Sequence, residues 1–281
     1  MKRSLLLAFI LIALRSSAQS WQMVDTAGFS PMLSGVAGMA VSSTGVPYVA
    51  FVSSSYPYSG GLSVMKYTDS AWNYVGMTDF FSTYGSYGMS FILGKNDTPY
   101  VSFPDGSNNN RLMVMKYNNY YWGNIDTGHI SLSAVYYSSM AVDKNGTLYI
   151  AFCDQGNGGG VTVKRYDGYQ LQALGAPNIS GASASYVSIA LDTGGVPYVA
   201  FLDNCCGSSR LTVMKYVSGS WVAVGSRQFS AGVAHYVSLA IDGNNKPYVA
   251  YEDFTNSDKV TVMTFDGSNW SPVGSAGFSA A

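Results

Sequence analysis

Short apolar runs separated by polar turns organise this chain. Tyr186 to Leu191, Val196 to Phe201, Leu211 to Tyr216 and Trp221 to Val224 are rich in Val, Tyr, Phe and Thr, the composition of strands. Asp192-Thr193-Gly194-Gly195 between the first two runs reads as a turn, and Ser218-Gly219 as a tight one. Asp167-Gly168 and Asp266-Gly267 give the same hairpin signal elsewhere. No window sustains a 3.6-residue period, so helices are not expected.

The pattern repeats. Trp21, Trp72, Trp122, Leu171, Trp221 and Trp270 occupy one position, spaced 51, 50, 49, 50 and 49 residues apart. Pro47-Tyr48-Val49-Ala50-Phe51 returns at Pro99, Leu148, Pro197 and Pro247. Val64-Met65-Lys66-Tyr67 returns at Val114, Val163, Val213 and Val262. Four short antiparallel strands per unit of about 50 residues predict the blade of a β-propeller. The expected fold class is therefore all-β, a β-propeller of five blades with four antiparallel strands each. Five inner three-strand sets span 36–67, 86–117, 135–166, 184–216 and 234–265. Fourth strands number six, because Trp21 precedes the first set and Trp270 follows the last. Either could close the last blade. Small residues recur in the first strand of each set: Gly38/Ala40, Gly88/Ser90, Ser139/Ala141, Ser188/Ala190 and Ser238/Ala240. That strand lies nearest the propeller axis, where bulk would collide. The aromatic series of the outer strands is expected to fill the widening gap between blades.

With these residues in place, a resemblance can be stated. Ile189-Ala190-Leu191-Asp192-Thr193-Gly194-Gly195-Val196-Pro197-Tyr198-Val199-Ala200-Phe201-Leu202-Asp203 resembles the NHL type of propeller repeat, apolar–Asp–x–x–Gly–x–apolar–Tyr–Val–x–Asp. Copies run from Val142-Asp143 to Asp154 and from Ile241-Asp242 to Asp253. The first repeat carries Ser42 and Ser53 at the Asp positions, and the second has Gly94-Lys95-Asn96 at its turn. The resemblance implies a propeller with a binding role. In blade number the chain is similar to the tachylectin-type five-bladed lectins, which bind amino sugars between blades. No motif here carries their binding residues over.

Composition narrows the function. Charged residues make up 11% of the 281, against about 25% in an average domain. Fifteen Lys and Arg balance sixteen Asp and Glu, so no basic stripe serves nucleic acid. Aromatics at 14%, with 22 Tyr, argue against disorder. Lys2-Arg3, the apolar run Leu5 to Leu14 and Ser16-Ser17-Ala18 read as a signal peptide over 1–18, leaving 19–281 as the propeller. Ten apolar residues are too few to span a membrane, which needs about 20. A secreted, periplasmic or cell-surface protein is expected. Cys153, Cys205 and Cys206 are an odd set. Free thiols are the favoured reading, a bond from Cys153 to one of the others the alternative. No cofactor or metal site is suggested.

Candidate chemistry gathers at one end of the propeller. Asp105, Asp154, Asp203 and Asp253 end successive second strands. Tyr137, Tyr186 and Tyr236 open three first strands, with His235 beside the last. Both sets should project toward the top rim, and tyrosine faces with carboxylate acceptors suit sugar rings. The structural alternative is that each Asp caps its loop and each Tyr packs on the next blade. Tyr56, Tyr58, Phe80, Phe81, Tyr84 and Tyr87 sit in long loops that differ between repeats, as binding loops do. Asp143, Asp192 and Asp242 read as turn residues. No nucleophile elbow is present, and regular repetition disfavours two carboxylates in different roles. The expected function is an exported, non-catalytic module that binds a glycan or a protein surface. The alternatives are a carbohydrate-active hydrolase or lyase, and a structural repeat of a larger surface protein.

Overall fold

The computed structural model describes residues 23–25, 28–30, 34–55, 59–83 and 88–279. Residues 1–18, Trp21, Tyr56, Tyr58, Tyr84, Tyr87 and the Cys206 side chain lie outside this description. The chain folds into five antiparallel sheets in sequence order. Blade one is β1 (Ser34–Val41), β2 (Pro47–Ser55), β3 (Ser59–Thr68) and β4 (Ala71–Tyr74), with β5 (Phe81–Thr83) added along β3. Blade two is β6 (Ser90–Leu93), β7 (Pro99–Asp105), β8 (Arg111–Tyr117) and β9 (Trp122–Asn124). Blade three is β10 (Val135–Val142), β11 (Leu148–Asp154), β12 (Gly160–Tyr166) and β13 (Leu171–Ala173). Blade four is β14 (Ala184–Leu191), β15 (Pro197–Asp203), β16 (Arg210–Val217) and β17 (Ser220–Ala223). Blade five is β18 (Ala234–Ile241), β19 (Pro247–Asp253), β20 (Lys259–Phe265) and β21 (Trp270–Pro272). This is a β-propeller, and among the described residues no helix is long and apolar enough to cross a membrane.

Each blade is a meander because its turns are built for it. Asp143, Asp192 and Asp242 each accept two backbone N–H groups across the first hairpin. For Asp192 the donors are Gly194 and Val196, both at 2.9 Å. For Asp143 they are Asn145 and Thr147, and for Asp242 they are Asn244 and Lys246. The second strands β11 and β15 are buried at every residue. That is why they read as continuous apolar runs and not as alternating ones.

Small residues on the inner strands allow close approach and also tie the blades together. A Cβ on Gly38 would sit 3.0 Å from that of Phe91. Ser90, Ser139 and Ser188 each accept a backbone N–H from the next blade, from Met140 at 3.2 Å, Ile189 at 3.1 Å and Leu239 at 3.0 Å. Further out, Trp122, Trp221 and Trp270 donate their indole N–H to Val75, Leu174 and Val224 of the preceding blade. Phe80 stacks on Trp122 at 4.5 Å and Phe229 on Trp270 at 4.2 Å. Phe81 packs on Phe103. Phe80 and Phe81 thus join blades and do not form a variable binding loop.

Two readings of the ends are resolved. β21 supplies the fourth strand of blade five, so Trp270 completes that sheet. Blades one to five pack consecutively, but among the described residues β18 and β1 share no contact as extensive as those between neighbouring blades. Among the described residues, blade one and blade five each therefore leave one face open, where Met39 and Val273 are exposed.

Candidate functional site

The rim cluster begins with backbone geometry. The first strand of blades three, four and five starts with a β-bulge, seen as register shifts at Val135/Ser138, Ser185/Ser188 and His235/Ser238. A bulge inserts one extra residue and re-aims its side chain. Tyr186 and Tyr236 occupy it with φ of 50° and 49°, where blade two has Gly88 at 71°. A bulky L-residue in the left-handed region is an outlier that costs about 1–2 kcal/mol. Such strain concentrates at functional sites.

The bulges bring together five rings from three blades. Tyr137 meets Tyr186 at 4.7 Å, and Tyr186 meets both Tyr236 at 5.1 Å and His235 at 5.4 Å. Phe254 sets its edge against His235 at 5.4 Å. His235 Nδ1 lies 3.4 Å from Glu252 Oε2, because β18 and β19 pair these two residues directly. Tyr236 is 69% exposed and Phe254 is also exposed, so the cluster has an open aromatic face. Burial, then the bond with the Tyr186 hydroxyl, pushes the Tyr137 phenol up to about 12. Tyr137 is thus a neutral hydroxyl at ordinary pH. The sequence reading of Tyr137, Tyr186, Tyr236 and His235 as one group matches their placement. It missed Glu252 and Phe254, which cross-strand register alone could have joined to His235.

The Asp series is arranged differently. Asp105, Asp154, Asp203 and Asp253 are all buried, and their carboxylates are engaged by the loops after the second strands and by side chains beyond them. Asp105 accepts from Ser107, Asn108 and the His129 ring, the last at 2.7 Å. Asp154 accepts from Gly156 and Asn157. Asp203 accepts from Cys205, Thr212 and the Arg227 guanidinium. Asp253 accepts from Thr255, Asn256 and Thr261. Burial alone would raise the carboxyls of Asp105 and Asp253, but these bonds outweigh it and hold both below the usual carboxylate range. His129 and Arg227 sit at one repeat position, 24 residues beyond their Asp. Both oxygens of each of these four carboxylates are thus engaged within the protein.

Cys153 is a buried free thiol, pushed up to about 12 by burial. No group of His, Cys, Asp and Glu suited to a metal ion occurs among the described residues.

No protein-family model and no curated protein matches this sequence. In shape, the chain is similar to solved propellers. One is a polysaccharide lyase, an ulvan lyase, bound to -[GlcA(1-4)Rha3S]-. That likeness has 10% identity and a TM-score of 0.54, over 83% of this chain and 69% of that one. Another is an α-L-arabinanase from Penicillium chrysogenum complexed with arabinobiose, with 12% identity and a TM-score of 0.50, over 79% and 72%. A third, of unknown function, comes from Dyadobacter fermentans, with 12% identity and a TM-score of 0.55, over 86% and 83%. At these identities the likeness establishes the fold. It also corrects the expectation of a non-catalytic binding module. Of the three, the two with named activities are a polysaccharide lyase and an arabinanase, not binding modules.

Proposed function

We propose that this protein is a carbohydrate-active enzyme that works at the rim cluster of blades three to five, by β-elimination on a uronate-containing polysaccharide. The observation that carries this reading is the cluster itself: an imidazole with a carboxylate behind it, among tyrosines held on strained backbone. Hydrolysis by paired carboxylates needs two acids about 5–10 Å apart with free oxygens. The Asp series is engaged elsewhere, and Glu252 is the carboxylate in contact with the cluster. Elimination needs a base and a proton donor instead.

In this reading His235 takes the proton from C5 of the uronate, and Glu252 orients the imidazole. The electron pair forms the C4–C5 double bond as the C4–O bond breaks. A tyrosine hydroxyl of the cluster, from Tyr137, Tyr186 or Tyr236, gives the leaving oxygen its proton. Tyr236 and Phe254 offer an apolar face to the C–H side of a sugar ring. Export is part of the same proposal. The charged, apolar and small-residue segments of 1–18 support a signal peptide cleaved after Ala18, which N-terminal sequencing of exported material tests.

The activity test is a panel of neutral and uronate-containing polysaccharides, read for new reducing ends and for the ultraviolet absorption of unsaturated sugar. The expected result is both signals rising together on a uronate polymer, and neither in His235→Ala. Reducing ends without unsaturation would replace elimination by hydrolysis. No product on any polymer would overturn the proposal.

A further inference from the structure

The two open ends of the propeller are halves of one interface that the molecule already builds four times. Position by position, blade five lacks what its neighbours receive. Val75, Leu174 and Val224 are buried beneath the following blade, and each gives its carbonyl to that blade's Trp. Val273 makes the same backbone bond to its own sheet, to Val262, yet is 44% exposed against 4% for Val224. A Cβ on Gly76, Gly175 or Gly225 would strike rings of the next blade, whereas beside Gly274 there is open space. Ser238 stands where Ser90, Ser139 and Ser188 accept the next blade's N–H, and it is exposed.

Blade one shows the complementary lack. Met39 holds the position of Phe91, Met140, Ile189 and Leu239, each buried by the preceding blade. Met39 is 64% exposed, against 6% for Met140. The indole N–H of Trp72 is buried and has no acceptor, where Trp122, Trp221 and Trp270 find one. Phe29 stacks on Trp72 at 4.2 Å, as Phe80 does on Trp122. That segment therefore fills the ring contact but leaves the hydrogen bond unmade.

We infer that this protein self-associates head to tail, the outer face of blade five in one copy seating on blade one of a second. Val273 then gives its carbonyl to Trp72 of the second copy, Ser238 accepts the N–H of Met39, and Phe278 displaces Phe29 from Trp72. The contact is heterologous, so it closes a ring of copies or extends as a filament. It also places the start of β1 beside Tyr236, as β18 follows β14, and so continues the rim into the second copy.

Sedimentation of the wild type, Met39→Asp, Val273→Asp and an equimolar mixture of the two variants tests this. Both positions are exposed, so both variants should fold, which circular dichroism checks. The expected result is concentration-dependent assembly of the wild type, and at least tenfold weaker assembly of each variant alone. The mixture should form a dimer that grows no further, because it retains one intact pair of faces. A wild type that stays monomeric, variants that assemble as before, or a mixture that stays monomeric would each overturn the inference. The first result would mean the two faces meet within one chain.

Discussion

Tyr186 and Tyr236 hold positive φ at a position where blade two uses glycine. Tyr236 is mostly exposed, so its packing does not require the strain. Replacing it with glycine should therefore leave the melting temperature unchanged or raise it, by up to about 1–2 kcal/mol of relieved strain. The same change should lower polysaccharide turnover at least about tenfold if the ring supports a sugar. A variant that loses both stability and fold would assign Tyr236 to architecture. The buried carboxylates give the opposite case. Asp253 has its acidity strengthened in the folded state by Thr255, Asn256 and Thr261. Its folded value lies below the unfolded one, so its stabilisation is complete above about pH 4 and is lost as pH falls through the folded value. Denaturant titrations from pH 7 to pH 2 should show the wild type weakening in that acid range. Asp253→Asn should start about 1–3 kcal/mol lower and depend less on pH there.

The outer strands of blades two, four and five each join the preceding blade through a tryptophan, and the four described tryptophans are not equivalent. Trp122 donates to Val75, so Trp122→Phe leaves a buried carbonyl without its partner. Trp72 has no such bond. Chemical unfolding should show Trp122→Phe losing about 1–3 kcal/mol more than Trp72→Phe. Equal losses would mean that the indole bond does not hold blades together. The first strands show the same division of labour. Their serines read from sequence as small residues admitted by crowding, and they are that. Their hydroxyls also accept N–H groups from the next blade, which composition alone could not reveal.

For the molecule as a whole, the period of about fifty residues made the architecture legible. Repeated turn and strand signals specify a blade locally, and each blade packs on its neighbour by the same positions. The site was only half legible. Tyr137, Tyr186, Tyr236 and His235 share a repeat position or neighbour it, so they could be grouped from spacing. The Asp series looked equally repeated. Its burial and its bonds to Ser, Thr, Asn, His129 and Arg227 depend on loop geometry that spacing does not encode. The open end faces were hidden for a related reason: the sequence counts repeats, but does not say whether the last packs on the first. The central claim is that the rim cluster performs chemistry on a glycan. The direct measurement is kcat/KM of wild type and His235→Ala on the polysaccharide that the wild type cleaves, with both melting curves recorded. The expected result is a loss of about a hundredfold or more, the size of a general-base contribution, at an unchanged melting temperature. Cleavage by His235→Ala at the wild-type rate would contradict it.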